Sequence, residues 1–191
     1  GIARVAQKMV KDSGTTVTEF CKARVASRNG RKYWGSSTSG KIWMNDTDGS
    51  WILVATVVPS VGSPYILGMY EYQNFIYIAT ESELHRIPSA SATTAQQWTD
   101  NLVLHWAHFD CTDPDFHPMR ETNLVLYIGD GNFVAQVDSG TFSPQALDIA
   151  LPLRIKSLGR VGTDLLIGTY ISDNVTKTEL IRWNTFSDSF Q

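Results

Sequence analysis

A strand–turn–strand pattern occurs four times along the 191 residues of this chain, and it constrains the fold more than any other feature. In each copy an apolar segment ends on a small residue, a polar turn follows, and the next segment alternates apolar and polar residues. Alternation with a period of two is typical of half-buried strands, so each copy predicts a β-hairpin. The four small residues are separated by 44, 50 and 39 positions, and they are Gly35, Ala79, Gly129 and Gly168.

A period in the forties that contains only short strands is typical of a β-propeller, in which each repeat forms one four-stranded blade. We therefore predict an all-β protein with four antiparallel blades, at about 20–58, 65–110, 116–152 and 153–191, in a single domain that spans 1–191. The fourth blade shows only three strands. Residues 1–12 could supply the missing strand and close a four-bladed ring, or the chain is an arc of a larger propeller. The missing initiator Met and the abrupt end favour the arc.

Composition excludes some functional classes. The formal net charge is −3 and no cluster of basic residues occurs, which argues against nucleic acid as a partner. No apolar run reaches the length of about 18 residues that a membrane-spanning helix needs. Two cysteines are too few for a disulfide framework, so Cys21 and Cys111 are expected to be buried apolar side chains, although a single bridge between them stays open.

Acidic and amide side chains gather in turns that would share one face of the ring. Loops between blades and loops between each blade's middle strands meet on the same face of a propeller, and this is where ligands bind. We predict an acidic rim there that binds a cation, a sugar or a basic peptide. The alternative is that these are solvated turn residues, because Asp and Asn hydrogen-bond their own backbone in turns. The candidates are Glu81, Glu83, Asp113, Asp115, Asp130, Asn132, Asp173 and Asn174.

The densest group of potential metal ligands lies between His105 and His117, but its spacing does not predict a zinc site. Zinc needs three or four ligands that converge on one tetrahedral point. His105 and His108 are expected on opposite faces of a strand, because side chains alternate. The turn Asp46–Gly49 lacks the further ligands of a calcium loop. We predict no metal and, without a glycine-rich nucleotide loop, no cofactor.

Two segments carry a resemblance to a known group of proteins. The unit from Phe75 to Ile87 resembles the strand–turn–strand unit of many propellers, and residues 152–185 resemble a segment of large phage-associated and metagenomic propeller proteins. The resemblance covers most of the chain and implies a virion, tail-fibre or cell-surface component without catalytic residues. A second, weaker similarity links Asp46–Trp51 to the Asp-box hairpins of sialidase-type propellers, which are structural turns. The implied location is a virion or an extracellular surface.

We predict a non-enzymatic structural or receptor-binding module that presents loops on a rigid scaffold. Its expected partners are other protein chains or a surface glycan, bound through ring-face loops and blade edges, and open edges also predict a homo-oligomer. One alternative is a sialidase-like carbohydrate-active enzyme, which needs Arg24, Arg120 and either Arg154 or Arg160 around the central axis. The other alternative is a peptide-binding scaffold, which needs an apolar rim lined with aromatic side chains.

Overall fold

The computed structural model describes residues 17–45, 49, 51–60, 62–89, 102–105, 116–171 and 174–186. This part of the chain contains fifteen strands and no helix. The strands of its first half are β1 (Ala23–Ala26), β2 (Lys32–Gly35), β3 (Lys41–Asn45), β4 (Trp51–Thr56), β5 (Gly68–Tyr72), β6 (Phe75–Ala79), β7 (Glu83–Pro88) and β8 (Leu102–His105). The second half contains β9 (Met119–Thr122), β10 (Val125–Asp130), β11 (Phe133–Asp138), β12 (Thr141–Asp148), β13 (Leu153–Val161), β14 (Asp164–Ile171) and β15 (Asn174–Trp183).

The strands form four antiparallel sheets, and within each sheet neighbouring strands follow the order of the chain. Sheet 1 contains β1–β4, sheet 2 contains β5–β8, sheet 3 contains β9–β12 and sheet 4 contains β13–β15. The predicted all-β class and its four antiparallel units are confirmed. The predicted closing strand at 1–12 lies outside the described residues.

Two strands begin five residues before the starts that apolar alternation predicts, which are Ala146 and Glu179. β12 begins at Thr141 rather than at Ala146 and continues through Pro144. A proline is tolerated there because β12 is the outermost strand of its sheet, so one side of its backbone needs no partner. β15 begins at Asn174 rather than at Glu179. Both strand starts consist mainly of polar, solvent-facing residues, so apolar alternation does not predict them.

The core lies between successive sheets, so a middle strand is buried on both of its faces. In β6, Ile76 and Ile78 pack against sheet 1, whereas Tyr77 and Ala79 pack against sheet 3. Side chains alternate across a strand, so a strand buried on both faces must be apolar at every position. This explains the uninterrupted apolar sequence Phe75–Ala79.

Two small residues of the repeat, Gly35 and Gly129, lie where one sheet approaches the next. A Cβ atom on Gly35 would be 2.4 Å from Cγ2 of Ile66, which leads into sheet 2. A Cβ atom on Gly129 would be 2.7 Å from Cγ2 of Ile155 in sheet 4. Real Cβ atoms do not approach other carbon atoms so closely, and the repeat therefore keeps a small residue at this position.

Contacts between sheets follow the chain order. β1 packs against β5, β5 against β9, and both β9 and β10 against β13. Among the described strands, no contact of similar extent joins sheet 4 to sheet 1. The outward side of sheet 1 carries Trp34, Trp43 and Trp51 packed with Cys21, and the outward side of sheet 4 exposes Leu180 to 70%. The described sheets therefore form an arc with two end faces.

The Cys21 thiol is free and buried, as the sequence predicted, and burial raises its pKa. Cys111 lies outside the described residues. Nowhere in the described part of the chain is there a helix long and apolar enough to cross a membrane.

The arc has two loop faces. The linker face carries the segments that join successive sheets and the turns between the second and third strands of each sheet. The turn face carries the turns between the first and second strands and those between the third and fourth. On the turn face Arg28 connects three sheets: its backbone N–H donates to Oε2 of Glu71 at 2.6 Å, and its Nη2 lies 3.3 Å from Oε2 of Glu121.

Candidate binding face

Backbone hydrogen bonds fix the linkers of the linker face against the neighbouring turns. The Ile66 N–H donates to the Ser36 carbonyl at 2.9 Å, and the Ile155 N–H donates to the Gly131 carbonyl at 2.8 Å. In both cases the chain entering a sheet is tied to a turn of the preceding sheet. These two described linkers are consequently braced against the neighbouring turns.

A buried polar residue follows each small residue of the repeat, and three of the four brace their own turn. The Ser36 hydroxyl accepts from the N–H groups of Thr38 and Ser39 at 3.2 and 3.1 Å. The Thr80 hydroxyl donates to the Glu83 carbonyl at 3.2 Å, and the Thr169 hydroxyl donates to the Glu179 carbonyl at 3.1 Å. These hydroxyl groups were not predicted from the sequence, although their regular position in the repeat was a usable signal.

Asp130 occupies the same position in sheet 3 but has a carboxyl group. It is only 5% exposed. Burial raises the pKa of Asp130 to about 8. Loss of hydration disfavours the charged form of a carboxyl group, so Asp130 is mainly protonated at neutral pH.

Glu81 and Glu83 bind the linker between sheets 1 and 2. The buried Glu83 carboxylate accepts from the backbone N–H of Ser60 at 2.8 Å and from its hydroxyl, and its Oε2 lies 3.0 Å from Nε2 of His85. Glu81 accepts from the backbone N–H of Ser63 at 2.7 Å. Both side chains therefore stabilise the linker.

Asn132 stabilises the end of the outer strand of sheet 3. Its Nδ2 donates to Oδ1 of Asp148 at 2.9 Å and to the carbonyl of Ile149 at 3.2 Å. Asn174 begins β15, and its side chain lies outside the described part of the structure. The remaining candidates, Asp113, Asp115 and Asp173, also lie outside it. The predicted acidic rim thus places four described residues on the linker face, two of them buried, and its ligand stays a prediction.

His117 lies at the seam between sheets 2 and 3. Its Nδ1–H donates to the carbonyl of Gly129 at 2.9 Å, and its backbone lies so close to Gly68 that a Cβ there would be 2.3 Å from the His117 oxygen. Burial lowers the pKa of His117 to about 4, although the carbonyls of Gly129 and Thr80 both favour the protonated imidazole. The neutral ring is a structural bridge between the two sheets.

The described residues contain no group of three His, Cys, Asp or Glu side chains that could hold a metal ion. The sialidase-like alternative needs the Arg24 side chain at the central axis, and the contacts of Arg24 do not support that position. Its guanidinium lies 4.9 Å from the ring centroid of Trp34, and its Nε donates to the carbonyl of Cys21 at 3.3 Å. Arg24 is therefore engaged on the outward side of sheet 1.

Large apolar side chains project from the linker face at every sheet. Segments that lead into the four sheets each contribute at least one, and all are exposed to solvent. Phe20 belongs to this face because its carbonyl accepts from the Ser37 N–H, in the turn that follows β2. The set is Phe20, Val58, Tyr65, Phe116 and Leu151. The solvent-exposed surface of this face is thus partly aromatic and aliphatic, which is the kind of rim that the peptide-binding alternative requires.

Comparison with known proteins defines the fold class. No protein-family model and no curated protein matches the chain. Among solved structures, the extracellular domain of BT4673, described as a hybrid two-component system, from B. thetaiotaomicron is 17% identical with a TM-score of 0.64; the match covers 90% of this chain and 21% of that chain. Virginiamycin B lyase from Staphylococcus aureus is 16% identical with a TM-score of 0.53, covering 83% of this chain and 54% of the lyase.

A third similar structure is the extracellular domain of BT3049 from B. thetaiotaomicron, at 11% identity and a TM-score of 0.52, covering 97% of this chain and 31% of that chain. The chain thus spans between about a fifth and about half of these structures. Together with the four sheets in arc order, the matches show a β-propeller fold. At such identities they show the fold alone.

Proposed function

We propose that this chain is a non-enzymatic binding module of the β-propeller type, which binds partner proteins through its linker face. The observation that carries the proposal is the set of exposed apolar side chains on that face, three of them aromatic: Phe20, Tyr65 and Phe116. Aromatic side chains supply much of the binding energy at protein interfaces, since they offer a large contact area with few rotatable bonds.

The bracing of the linkers supports this role. Glu83 and His117 hold the segments that carry the exposed side chains, and both are buried. A surface fixed before binding loses less conformational entropy when a partner docks. The predicted polar rim is the second part of the proposal, with Glu81 and Asn132 at its edge.

An extracellular location is part of the proposal, and it is supported by the extracellular domains of BT4673 and BT3049. A virion or tail-fibre setting, as the sequence resemblance implies, is its narrower form. A surface glycan is a second candidate partner, because the same exposed aromatic rings could stack on sugar rings.

The test is a binding screen followed by mapping. The purified chain is screened in parallel on a displayed random-peptide library and on a glycan microarray, and hydrogen–deuterium exchange then locates the bound ligand. We expect peptide binding with protection of the linkers at 57–67, 116–118 and 149–152. The triple variant Phe20→Ser, Tyr65→Ser, Phe116→Ser should weaken it at least about tenfold.

A matched variant on another surface, Leu180→Ser, should leave that binding unchanged. Protection confined to the sheet faces would contradict the proposal, and so would turnover of a glycan. Binding only on the glycan microarray would assign the linker face to the second candidate.

A further inference from the structure

At two junctions inside the arc, an isoleucine from the segment entering the next sheet lies against a glycine of the repeat. Ile66 lies against Gly35 between sheets 1 and 2, and Ile155 lies against Gly129 between sheets 3 and 4. Both isoleucines also donate their backbone N–H to a carbonyl in a turn of the preceding sheet. Twice within the chain, this position therefore receives an aliphatic side chain from an extended polypeptide segment.

Gly168 is the equivalent residue of sheet 4, and it faces away from sheet 3. Its neighbour Ile167 packs in the core between sheets 3 and 4, and side chains alternate along a strand. The described atoms nearest to a Cβ on Gly168 would all belong to Ser157, its register partner in β13. The position that an isoleucine covers at the other two junctions is therefore on the outward face of sheet 4.

A depression of about 420 Å³ lies at this glycine, which is a volume typical of binding pockets. Gly168 contributes no side chain to it. A β-bulge inserts Lys156 as an extra residue into β13, and both Lys156 and Ser157 line the depression. We call it the Gly168 depression. Its lining includes Lys156, Ser157, Gly168, Tyr170, Thr178 and Leu180.

The lining combines apolar surface with hydroxyl groups. Leu180 is the register partner of Gly168 in β15, so it lies on the same face, and it is 70% exposed. The Ser157 and Thr178 hydroxyl groups belong to the same lining, and hydroxyl groups both donate to and accept from a polypeptide backbone. The Gly168 depression thus offers the two kinds of contact that the internal junctions provide.

The border of the depression is basic. The Nζ atom of Lys156 lies 5.3 Å from the ring centroid of Tyr170. Arg154 is the register partner of Tyr170, so its side chain belongs to the same face of sheet 4. Two cationic side chains therefore accompany the aromatic ring on this face.

The nearby carboxylates do not offset this charge. Glu179 lines the depression, but its register partner is the buried Thr169, so its side chain leaves the opposite side of the strand. Asp164 is on the outward face, where one of its oxygens lies 2.5 Å from Nε of Arg182. An anionic group on a partner would complement the remaining positive charge.

We propose that the Gly168 depression docks an extended segment of a partner protein, with an aliphatic side chain against Gly168 and an acidic side chain beside Lys156. The aliphatic side chain repeats the packing of Ile66 on Gly35. The acidic side chain complements the charge of Lys156 and Arg154. The depression is on a sheet face and contains none of the exposed residues assigned to the linker face, so this proposal is independent of the proposed function.

The test uses a random dodecapeptide library selected on the immobilised wild-type chain. An excess of the soluble double variant Lys156→Glu, Leu180→Ser is present as competitor. This variant keeps the linker face, so it removes peptides that bind there. Synthetic copies of the retained peptides are measured by fluorescence anisotropy. We expect an aliphatic residue close to an aspartate or glutamate, and binding at least about tenfold weaker to Leu180→Ser.

A charge exchange tests the acidic residue of the partner. Lys156→Glu should weaken binding about tenfold, and a peptide in which lysine replaces the acidic residue should recover affinity for this variant. Added salt should weaken the wild-type interaction. Lys22→Glu is the matched control, because Lys22 is also exposed but precedes sheet 1; it should leave the affinity within about twofold.

The aliphatic contact is tested by filling the depression from within. Gly168→Val places a side chain where the partner's side chain would lie, and it should abolish binding. Val58→Ser, at an exposed position of the linker face, is the control for Leu180→Ser and should leave the affinity within about twofold. Hydrogen–deuterium exchange should show protection by the peptide at 155–158 and 178–181.

Thermal unfolding separates a lost contact from a lost fold. Leu180→Ser should keep the midpoint of unfolding within about two degrees of wild type, because the leucine side chain already faces solvent. Weaker peptide binding by this variant then reports the loss of a contact with the peptide.

Three results would overturn the proposal. The first is recovery of no peptide that requires the depression. The second is a set of peptides that bind Lys156→Glu and Leu180→Ser as tightly as they bind wild type. The third is self-association that Lys156→Glu abolishes while no peptide is selected, which would assign the depression to a second copy of the chain.

Discussion

Asp130 differs from the other residues at its position in the repeat, and the difference affects the pH dependence of folding. Ser36, Thr80 and Thr169 carry hydroxyl groups that hydrogen-bond within their turns, whereas Asp130 carries a buried carboxyl group. A hydroxyl is satisfied by one local partner at any pH. A carboxyl group in the same place makes the stability of the fold depend on its protonation.

We predict that the wild-type chain loses stability between pH 6.5 and 8. The pKa of Asp130 is about 8 in the folded state, against an ordinary value of 3.8, so the folded state binds more protons and stability falls as the pH rises toward 8. The pKa of His117 is about 4 against 6.5, so its effect has the opposite sign and ends near pH 6.5. Above that pH the effect of Asp130 remains, and the free energy of unfolding should fall by up to about 2 kcal/mol.

Urea denaturation at several pH values measures this fall. Asp130→Asn should make the profile flat between pH 6.5 and 8, whereas Asp138→Asn, at an exposed position, should keep the wild-type slope. An unchanged slope in Asp130→Asn would show that another group is responsible.

At the scale of strands and turns, each repeat shows the apolar alternation of buried strands, and this alternation is visible in the sequence. Alternating apolar residues predicted the strands β2, β3, β6, β10 and β11 with small differences in their limits. The starts of β12 and β15 could not be predicted in the same way. Both are outer strands with exposed polar residues, and their pairing depends on a neighbouring strand rather than on their own alternation.

We predict that Gly35→Ala lowers the free energy of unfolding by about 1–3 kcal/mol, because the new Cβ would be 2.4 Å from Cγ2 of Ile66 and 2.9 Å from Sδ of Met69. Gly159→Ala is the matched control within a strand. Its Cβ would meet only Cβ of Leu166, at 3.6 Å, so we expect a change within about 0.5 kcal/mol. Chemical denaturation measures both variants, and equal losses would mean that the seam between sheets 1 and 2 is not closely packed.

At the scale of the whole molecule, sheets 2 and 3 each lie between two neighbouring sheets in the described part of the chain, and sheets 1 and 4 each have an outward face there. Leu53 on sheet 1 and Leu180 on sheet 4 are exposed on those faces. In the middle sheets the corresponding faces form the core between neighbours. The outward faces are therefore the surfaces at which an arc of this kind would bury further apolar area.

We predict that the chain self-associates at micromolar concentration through these faces. Light scattering after size exclusion should give a molar mass above the 21.3 kDa of one chain, rising with concentration. The double variant Leu53→Lys, Leu180→Lys should shift the mass toward one chain, because charged side chains oppose burial of the faces. Leu151→Lys on the linker face serves as the control. A mass of one chain at every concentration would instead support a ring closed within the chain.

The sequence by itself determined the class of fold, the number of sheets and the small residue of each repeat. Each of these depends on local alternation or on a repeated spacing, and both are visible along the chain. Only the tertiary structure decided the roles of individual polar and apolar side chains. Glu83 meets Ser60, and Asn123 meets Thr163 and Thr185, through contacts between segments that are distant in sequence. Burial depends on such contacts. Only the structure could therefore show that some carboxyl groups are buried and hydrogen-bonded to a linker, whereas aromatic side chains of the linker face are exposed.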